Sequence, residues 1–146
     1  MTRVRFHNTG FLPPGGLVYS VIAARYQGEW IFVRHHDRST WEIPGGHIEK
    51  DESPDDTARR ELTEETGAAE FTLSCVATYS VEKNGTTGFG RLFFAEVTEI
   101  FPLPPNSEIA EIVMLDDLPD VLTYPDIQPF LFRRVLKYPG IKGGEN

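Results

Sequence analysis

Only one cysteine, Cys75, is present, so no disulfide can close within the chain, and the residue is expected to be a small core side chain on a strand. No apolar run approaches the roughly twenty residues that a membrane-crossing helix needs. The first residues, MTRVRFHNTGFLPPGG, also lack the apolar stretch of a signal peptide. Basic residues are scarce: 14 Lys and Arg stand against 22 Asp and Glu, for a net charge of −8, and they form no basic cluster. This shortage excludes a general nucleic-acid binder, which needs a basic face against the phosphates. It leaves room for a phosphorylated small molecule, provided that metal cations stand between the ligand and an acidic protein. A cytoplasmic location without membrane partners is the expectation, as a monomer or homodimer.

What is present suits one domain over residues 1–146: 40% of residues are hydrophobic and ten are Phe, enough to fill a core. Gly16 to His36 reads as two strands about the turn Tyr26-Gln27-Gly28, the first apolar enough to be covered on both faces. STWEIPGG leads into a Gly-Gly loop, where backbone can come close to a ligand. FTLSCVATYSVE and GFGRLFFAEVTEI read as two longer strands joined through Asn84-Gly85, a strong hairpin signal. EIAEIVML is expected as a further strand. IQPFLFRRVLKY is expected as a terminal helix with Phe130, Leu131, Val135 and Leu136 on its apolar face. PGIKGGEN is expected as a frayed tail. Strands with two interspersed helices imply an α+β domain, a mixed sheet with helices on its faces.

The helix between the Gly-Gly loop and the third strand is well punctuated. Ser53 is expected as N-cap with Pro54 at the first helical position. Asp55 and Asp56 lie at the positive end of the helix dipole, and Gly67 suits a left-handed stop. The helix then runs from Pro54 to Thr66, and Glu61, Glu64 and Glu65 share one sector of its surface. Arg60, four residues before Glu64, can pair with it, but one exposed pair is worth only a few tenths of a kcal/mol. A solvated acidic face is the bland explanation. A divalent-metal site is the sharper one, because Mg²⁺ takes hard oxygen ligands from carboxylates and phosphates. A backbone carbonyl of the neighbouring Gly-Gly loop could add to them.

These residues carry a family resemblance. Gly46, five residues, Glu52, seven residues, Arg60-Glu61-Leu62, one residue, Glu64-Glu65, one residue, Gly67 resembles the Nudix box of Nudix hydrolases at seven fixed positions and one apolar one. Ala68 departs from the usual Ile, Leu or Val. The resemblance implies an α/β/α sandwich around a mixed sheet and hydrolysis of a nucleoside diphosphate linked to another group, with Mg²⁺ or Mn²⁺. It implies Glu64 and Glu65 as metal ligands, and Glu61 as ligand or general base. Arg60 would orient a glutamate, and Glu52 would support the ligands or a metal-bound water. The carbonyl of Gly45 or Gly46, and Glu108 or Glu111 from outside the box, would complete the set.

Beyond the box, the proline found in ADP-ribose members has Glu82, Lys83 and Asn84 at about its distance, and Tyr79 comes too early for the tyrosine of diadenosine-polyphosphate members. What remains resembles the MutT-like branch that cleaves nucleoside triphosphates, oxidised dGTP included, to the monophosphate and pyrophosphate. ADP-ribose, a sugar nucleotide, a dinucleoside polyphosphate or an RNA 5′ end are the alternatives, and a non-catalytic nucleotide-binding module is the alternative of another class. The resemblance points to base reading near the start of the last helix, by Asp126 or else Gln128. Asp126 could equally be a helix cap. Phe89, Tyr124 or Phe130 could stack on a base, though each could equally be core. His35 and His36 point to opposite faces of a strand and cannot readily share an ion. Arg34 or Arg38 beside them could touch phosphate.

Overall fold

A computed structural model describes residues 1–141; of the expected tail, residues 142–146 lie outside the described part. The strands are β1 (Thr2–His7), β2 (Tyr19–Tyr26), β3 (Glu29–His35), β4 (Gly45–His47), β5 (Ala68–Lys83), β6 (Thr86–Ile100) and β7 (Ile109–Leu115), and the helices are α1 (Pro54–Thr66) and α2 (Gln128–Leu136). All strands join one sheet in the order β1-β5-β6-β2-β3-β7, with β4 also paired to β2. β2 runs parallel to β6 and the other pairings are antiparallel, so the sheet is mixed as expected.

Alternation along the strands sends side chains to two separate cores. Ile22, Ala24, Ile31, Phe93, Ala95 and Val97 meet Ala58 and Leu62 of α1. Ala23, Trp30, Phe32, Leu92, Phe94 and Tyr79 meet Leu131, Phe132 and Val135 of α2 on the opposite face. β2 supplies both layers, which is why nearly all of its residues are apolar. Cys75 lies on β5, half-buried, and packs at the edge of the α1-side core.

α1 starts and stops where its punctuation dictates. The Ser53 hydroxyl accepts from Asp56 N–H and the Asp56 carboxylate accepts from Ser53 N–H, both at 3.0 Å. Gly67 ends the helix at φ 79°, in space where a Cβ would run into the Phe101 carbonyl. The β5–β6 hairpin turns through Asn84 and Gly85, both at positive φ, the geometry that a two-residue turn between twisted strands requires.

One element was not anticipated and two expectations need correction. The first residues form β1, an edge strand alongside β5, which Arg3 and Arg5 disguise by alternating with Val4 and Phe6. The Gly-Gly segment is not a free loop: Gly45 and Gly46 are the start of β4 and pair with Val21 and Ser20. The apolar face of α2 is turned by one position. Its buried residues are Gln128, Leu131, Phe132 and Val135, while Phe130 and Leu136 are each 48% exposed. A polar residue opens that i, i+3, i+4, i+7 stripe, which hid it. The Gln128 side-chain oxygen is satisfied by accepting the Ile43 N–H at 2.8 Å.

This corrected face has a measurable consequence. Phe132→Ala should cost about 3–5 kcal/mol in chemical denaturation. Phe130→Ala, two residues earlier on the same helix, should cost about 1 kcal/mol or less.

Candidate active site

The edge of the sheet nearest α1 and β4 opens into a cleft of about 690 Å³. Its acidic wall arises because β4 passes beside the C-terminal half of α1. Gly46 lies so close to the Glu61 carboxylate that any Cβ there would collide with it. Gly45 donates its N–H to Glu65 Oε1 at 3.0 Å. The two glycines therefore cradle two of the three clustered carboxylates.

Arg60 organises the outer part of the cluster. It binds Glu52 through Nε at 2.6 Å and Nη2 at 3.0 Å, reaches Glu61 at 3.1 Å and Glu64 at 3.3 Å, and lies 3.7 Å from Glu49. Glu52 also accepts the Thr57 hydroxyl at 2.7 Å and the Glu49 N–H at 3.0 Å. Those bonds, Arg60's first, hold the Glu52 carboxyl down at about 2, so it stays ionised. Glu52 in turn raises the pKa of Arg60.

The inner carboxylates lack such compensation. Glu65 is 7% exposed, and burial pushes its carboxyl up to about 8; the Gly45 N–H opposes this, while Glu61, Glu42 and Glu108 add to it. Glu61 is also raised, first by burial, with Arg60 pulling it back and Glu64 and Glu108 adding repulsion. Buried carboxylates held up by one another are a set that a cation would relieve, and all-oxygen donors suit Mg²⁺ or Mn²⁺. Among the described residues, no three His, Cys, Asp or Glu side chains are already drawn together around one point. Glu64 is 59% exposed and turned toward Arg60, so it would have to rotate inward to join Glu61 and Glu65.

The remaining residues singled out from the sequence divide between the cleft and elsewhere. Glu108, Gln128 and Tyr124 line the cleft. Glu111 does not; it pairs with Arg34 at 3.2 Å on the other side of β3 and β7. Arg34 therefore points away from the cleft, where its other bond goes to the Arg38 carbonyl. Asp126 is exposed and outside the cleft, and it is not the helix cap either, since Ile127 holds that position without a side-chain bond. Phe89 packs against Phe11 and His7, with ring centroids 6.0 and 5.9 Å away, and is not among the residues lining the cleft. Phe130 lies half-exposed on the outer surface of α2.

The alternation of β3 that turns Arg34 outward turns His35 inward. His35 Nε2 stands 3.5 Å from Glu65 and 3.7 Å from Glu42. Arg38 also reaches the cleft, bound to Glu42 at 2.7 Å and to the Tyr124 hydroxyl at 3.3 Å. Glu42, Tyr19, His47, Tyr79 and Lys83 are among the further lining residues that the sequence did not single out for the site. The alternation signal was available for His35; nothing local marked the others.

The raised carboxyl of Glu65 has a signed effect on stability. Its folded-state value exceeds the unfolded one, so ionising it in the fold is unfavourable, and stability falls as pH rises from about 4.5 to about 8. Glu65→Gln should therefore raise Tm over the wild type in metal-free buffer above about pH 8. The gap should close toward about pH 4.5 in a thermal scan.

Comparison with known proteins agrees with this geometry. YtkD of Bacillus subtilis, provisionally named an 8-oxo-dGTP diphosphatase, is 29% identical over 102 residues, 70% of this chain and 64% of its own length. A MutT-like protein of Streptomyces ambofaciens is 37% identical over 73 residues, 50% of this chain and 46% of its own length. The chain thus spans roughly half to two-thirds of these relatives. The crystal structure of a variant of the Bacillus subtilis pyrophosphohydrolase BsRppH superposes with a TM-score of 0.78 over 97% of this chain and 93% of that one, at 21% identity, a likeness of fold. The NUDIX domain model matches residues 6–133, from the end of β1 into α2, and with the box on α1 inside that span the chain belongs to the Nudix family.

Proposed function

We propose that the chain hydrolyses the phosphoanhydride bond of a nucleoside diphosphate joined to another group, with Mg²⁺ or Mn²⁺, and that nucleoside triphosphates, oxidised dGTP among them, are its substrate class. The observation that carries this reading is the pair of half-buried to buried carboxylates, Glu61 and Glu65, seated against Gly45 and Gly46 in a cleft large enough for a nucleotide. The name of YtkD, an 8-oxo-dGTP diphosphatase, supports the substrate class. A Bacillus subtilis protein named ADP-ribose pyrophosphatase, 32% identical over 67% of this chain, keeps ADP-ribose as the second reading.

In this reading Glu64, Glu65 and Glu108, with the carbonyls of Gly45 or Gly46, would hold the cations, leaving Glu61, of its two roles as ligand or general base, the second. Such ions neutralise the phosphate oxygens and lower the pKa of a water. Arg60 keeps Glu61 oriented through a charge-assisted bond, and Glu52 keeps Arg60 in place. Glu61 is the carboxylate best set to take the proton of the attacking water, because it faces the cleft while Arg60 holds it. Arg38, rather than Arg34, is the cation at the rim that can meet a phosphate. Gln128 presents a buried amide whose oxygen is engaged, leaving its NH₂ to read a base.

The test is product release from a panel of nucleoside triphosphates, oxidised dGTP, ADP-ribose, a sugar nucleotide, a diadenosine polyphosphate and a 5′-triphosphorylated RNA, with Mg²⁺ or Mn²⁺. Wild type should turn over the triphosphates best. Glu64→Gln should keep its Tm and lose about 10²- to 10⁴-fold in turnover. Near-normal turnover by that variant would sink the assignment of Glu64. Tight nucleotide binding by the wild type without any product would instead favour a binding module.

A further inference from the structure

Four strands carry one lateral row of residues on the α2 side of the sheet. His47 on β4 is paired with Tyr19 on β2, Tyr19 with Gly90 on β6, and Gly90 with Tyr79 on β5. Gly90 is the gap in that row. A Cβ built there would lie 2.6 Å from both Cζ and the hydroxyl oxygen of Tyr79, so the ring of Tyr79 folds over the bare glycine backbone. Its position is thus set by the absence of a side chain on the neighbouring strand.

Tyr79 is 3% exposed, yet it lines the cleft together with Val81, Ile127 and Leu131. Burial, followed by the nearby Tyr19, pushes its pKa up, so the phenol remains an O–H donor at neutral pH. No hydrogen bond to that hydroxyl is made among the described residues. The one side-chain polar atom there that is both fully buried and unpartnered is Arg91 Nε. The Tyr79 hydroxyl therefore opens onto the cleft. A buried tyrosine hydroxyl normally finds a partner, and here the direction left for one is the cleft itself.

The location says what kind of partner. The phenol lies over Gly90 on β6, two strand spacings across β2 from β4, which carries the glycines beside Glu61 and Glu65, roughly 10 Å. Phosphates drawn to the carboxylate end would leave the far end of a nucleotide near β5. Around Tyr79 the cleft is lined by the apolar Val81, Ile127 and Leu131, with Gln128, Tyr124, Lys83 and Thr86 as the polar residues. An apolar slot with a few fixed polar groups is what orients a flat heterocycle.

We infer that Tyr79 is a specificity-determining residue that donates its hydroxyl to an acceptor on the nucleobase edge, and that position 90 is glycine so that this phenol can reach it. The inference rests on the nucleotide reading above and adds the group that discriminates among bases. A site that hydrogen-bonds one base rejects an analogue lacking the acceptor, because the donor is left unpaired.

The test is Tyr79→Phe, which keeps the ring and removes only the hydroxyl. Its base ranking is measured as kcat/KM over nucleoside triphosphates and as calorimetric Kd for the matching monophosphates. The preferred base should lose about tenfold, carried by KM and Kd, with kcat within about twofold, while the poorest base is unmoved. The ranking should therefore flatten, which a purely structural role would not produce. Gly90→Ala should flatten it too, and adding Gly90→Ala to Tyr79→Ala should change nothing further. An unchanged ranking in Tyr79→Phe, or additive effects in the double variant, overturns the inference. Monophosphate binding keeps the two proposals apart: a wild type that ranks bases without turnover defeats hydrolysis and leaves the role of Tyr79 standing.

Discussion

One guanidinium facing several carboxylates is the constraint from which the rest of the site follows. Arg60 commits two donors to Glu52 and shares what remains with Glu61 and Glu64. The Glu52 interaction takes most of its charge, since it alone has both a short bidentate bond and further donors from Thr57 and Glu49. Glu61 is pulled down only partly, and Glu65 lies beyond its reach, relying on one backbone N–H and on His35 nearby. The arrangement is ordered without being neutral. Its outer carboxylates hold their positions through Arg60, and its inner ones keep an unmet demand for positive charge, which divalent cations are suited to fill.

Two glycines serve the same purpose at opposite ends of the cleft. Gly46 gives the Glu61 carboxylate room beside the β4 backbone, and Gly90 gives the Tyr79 phenol room beside the β6 backbone. In each case a missing Cβ sets how far a polar tip projects into the cleft. Substituting either would move the tip through direct steric contact, with little need to disturb the fold elsewhere. Gly67 is a different case, because there the positive φ and the Phe101 carbonyl fix the residue for reasons of chain direction.

The parts legible in the sequence are those governed by local rules. α1 is bounded by a capping box, a first-turn proline and a left-handed stop, all within a few residues of its ends, and its bounds were read without error. The two hairpins announce themselves by turns at Gln27-Gly28 and Asn84-Gly85. What escaped was decided by contacts between distant segments. β1 exists because β5 extends far enough to pair with it, and β4 because β2 does. The seam of α2 begins with Gln128, whose amide oxygen accepts the N–H of Ile43, 85 residues away. That Glu108 and His35 line the cleft while Glu111 and Arg34 pair outside it depends on the β3–β7 pairing. Glu111 is set against Arg34, and the register shifts between Arg34 and His35, which reaches Glu65 and Glu42 in the cleft. Asp126 was attractive as a polar residue before a helix, but the chain enters α2 through Ile127 and leaves that carboxylate in solvent.

The two ends of the cleft are built from different pieces. The clustered carboxylates come from α1, held by Arg60 and the Gly45-Gly46 backbone, with Glu108 facing them from the segment before β7. The far end comes from β5, β6 and α2, whose lining residues make no bond to Arg60. Substitutions at Tyr79, Val81 or Gln128 can therefore alter what fits there while the acidic wall keeps its geometry. This separation accounts for how relatives that share the box bear names as different as an 8-oxo-dGTP diphosphatase, an RNA pyrophosphohydrolase and an ADP-ribose pyrophosphatase. In the proposed reading the box would serve attack on a phosphoanhydride, and the opposite wall would select the molecule that presents one. Reading the substrate of this chain is consequently a question about β5, β6 and α2, where a phenol over a glycine and a buried amide are the polar groups aimed at the ligand.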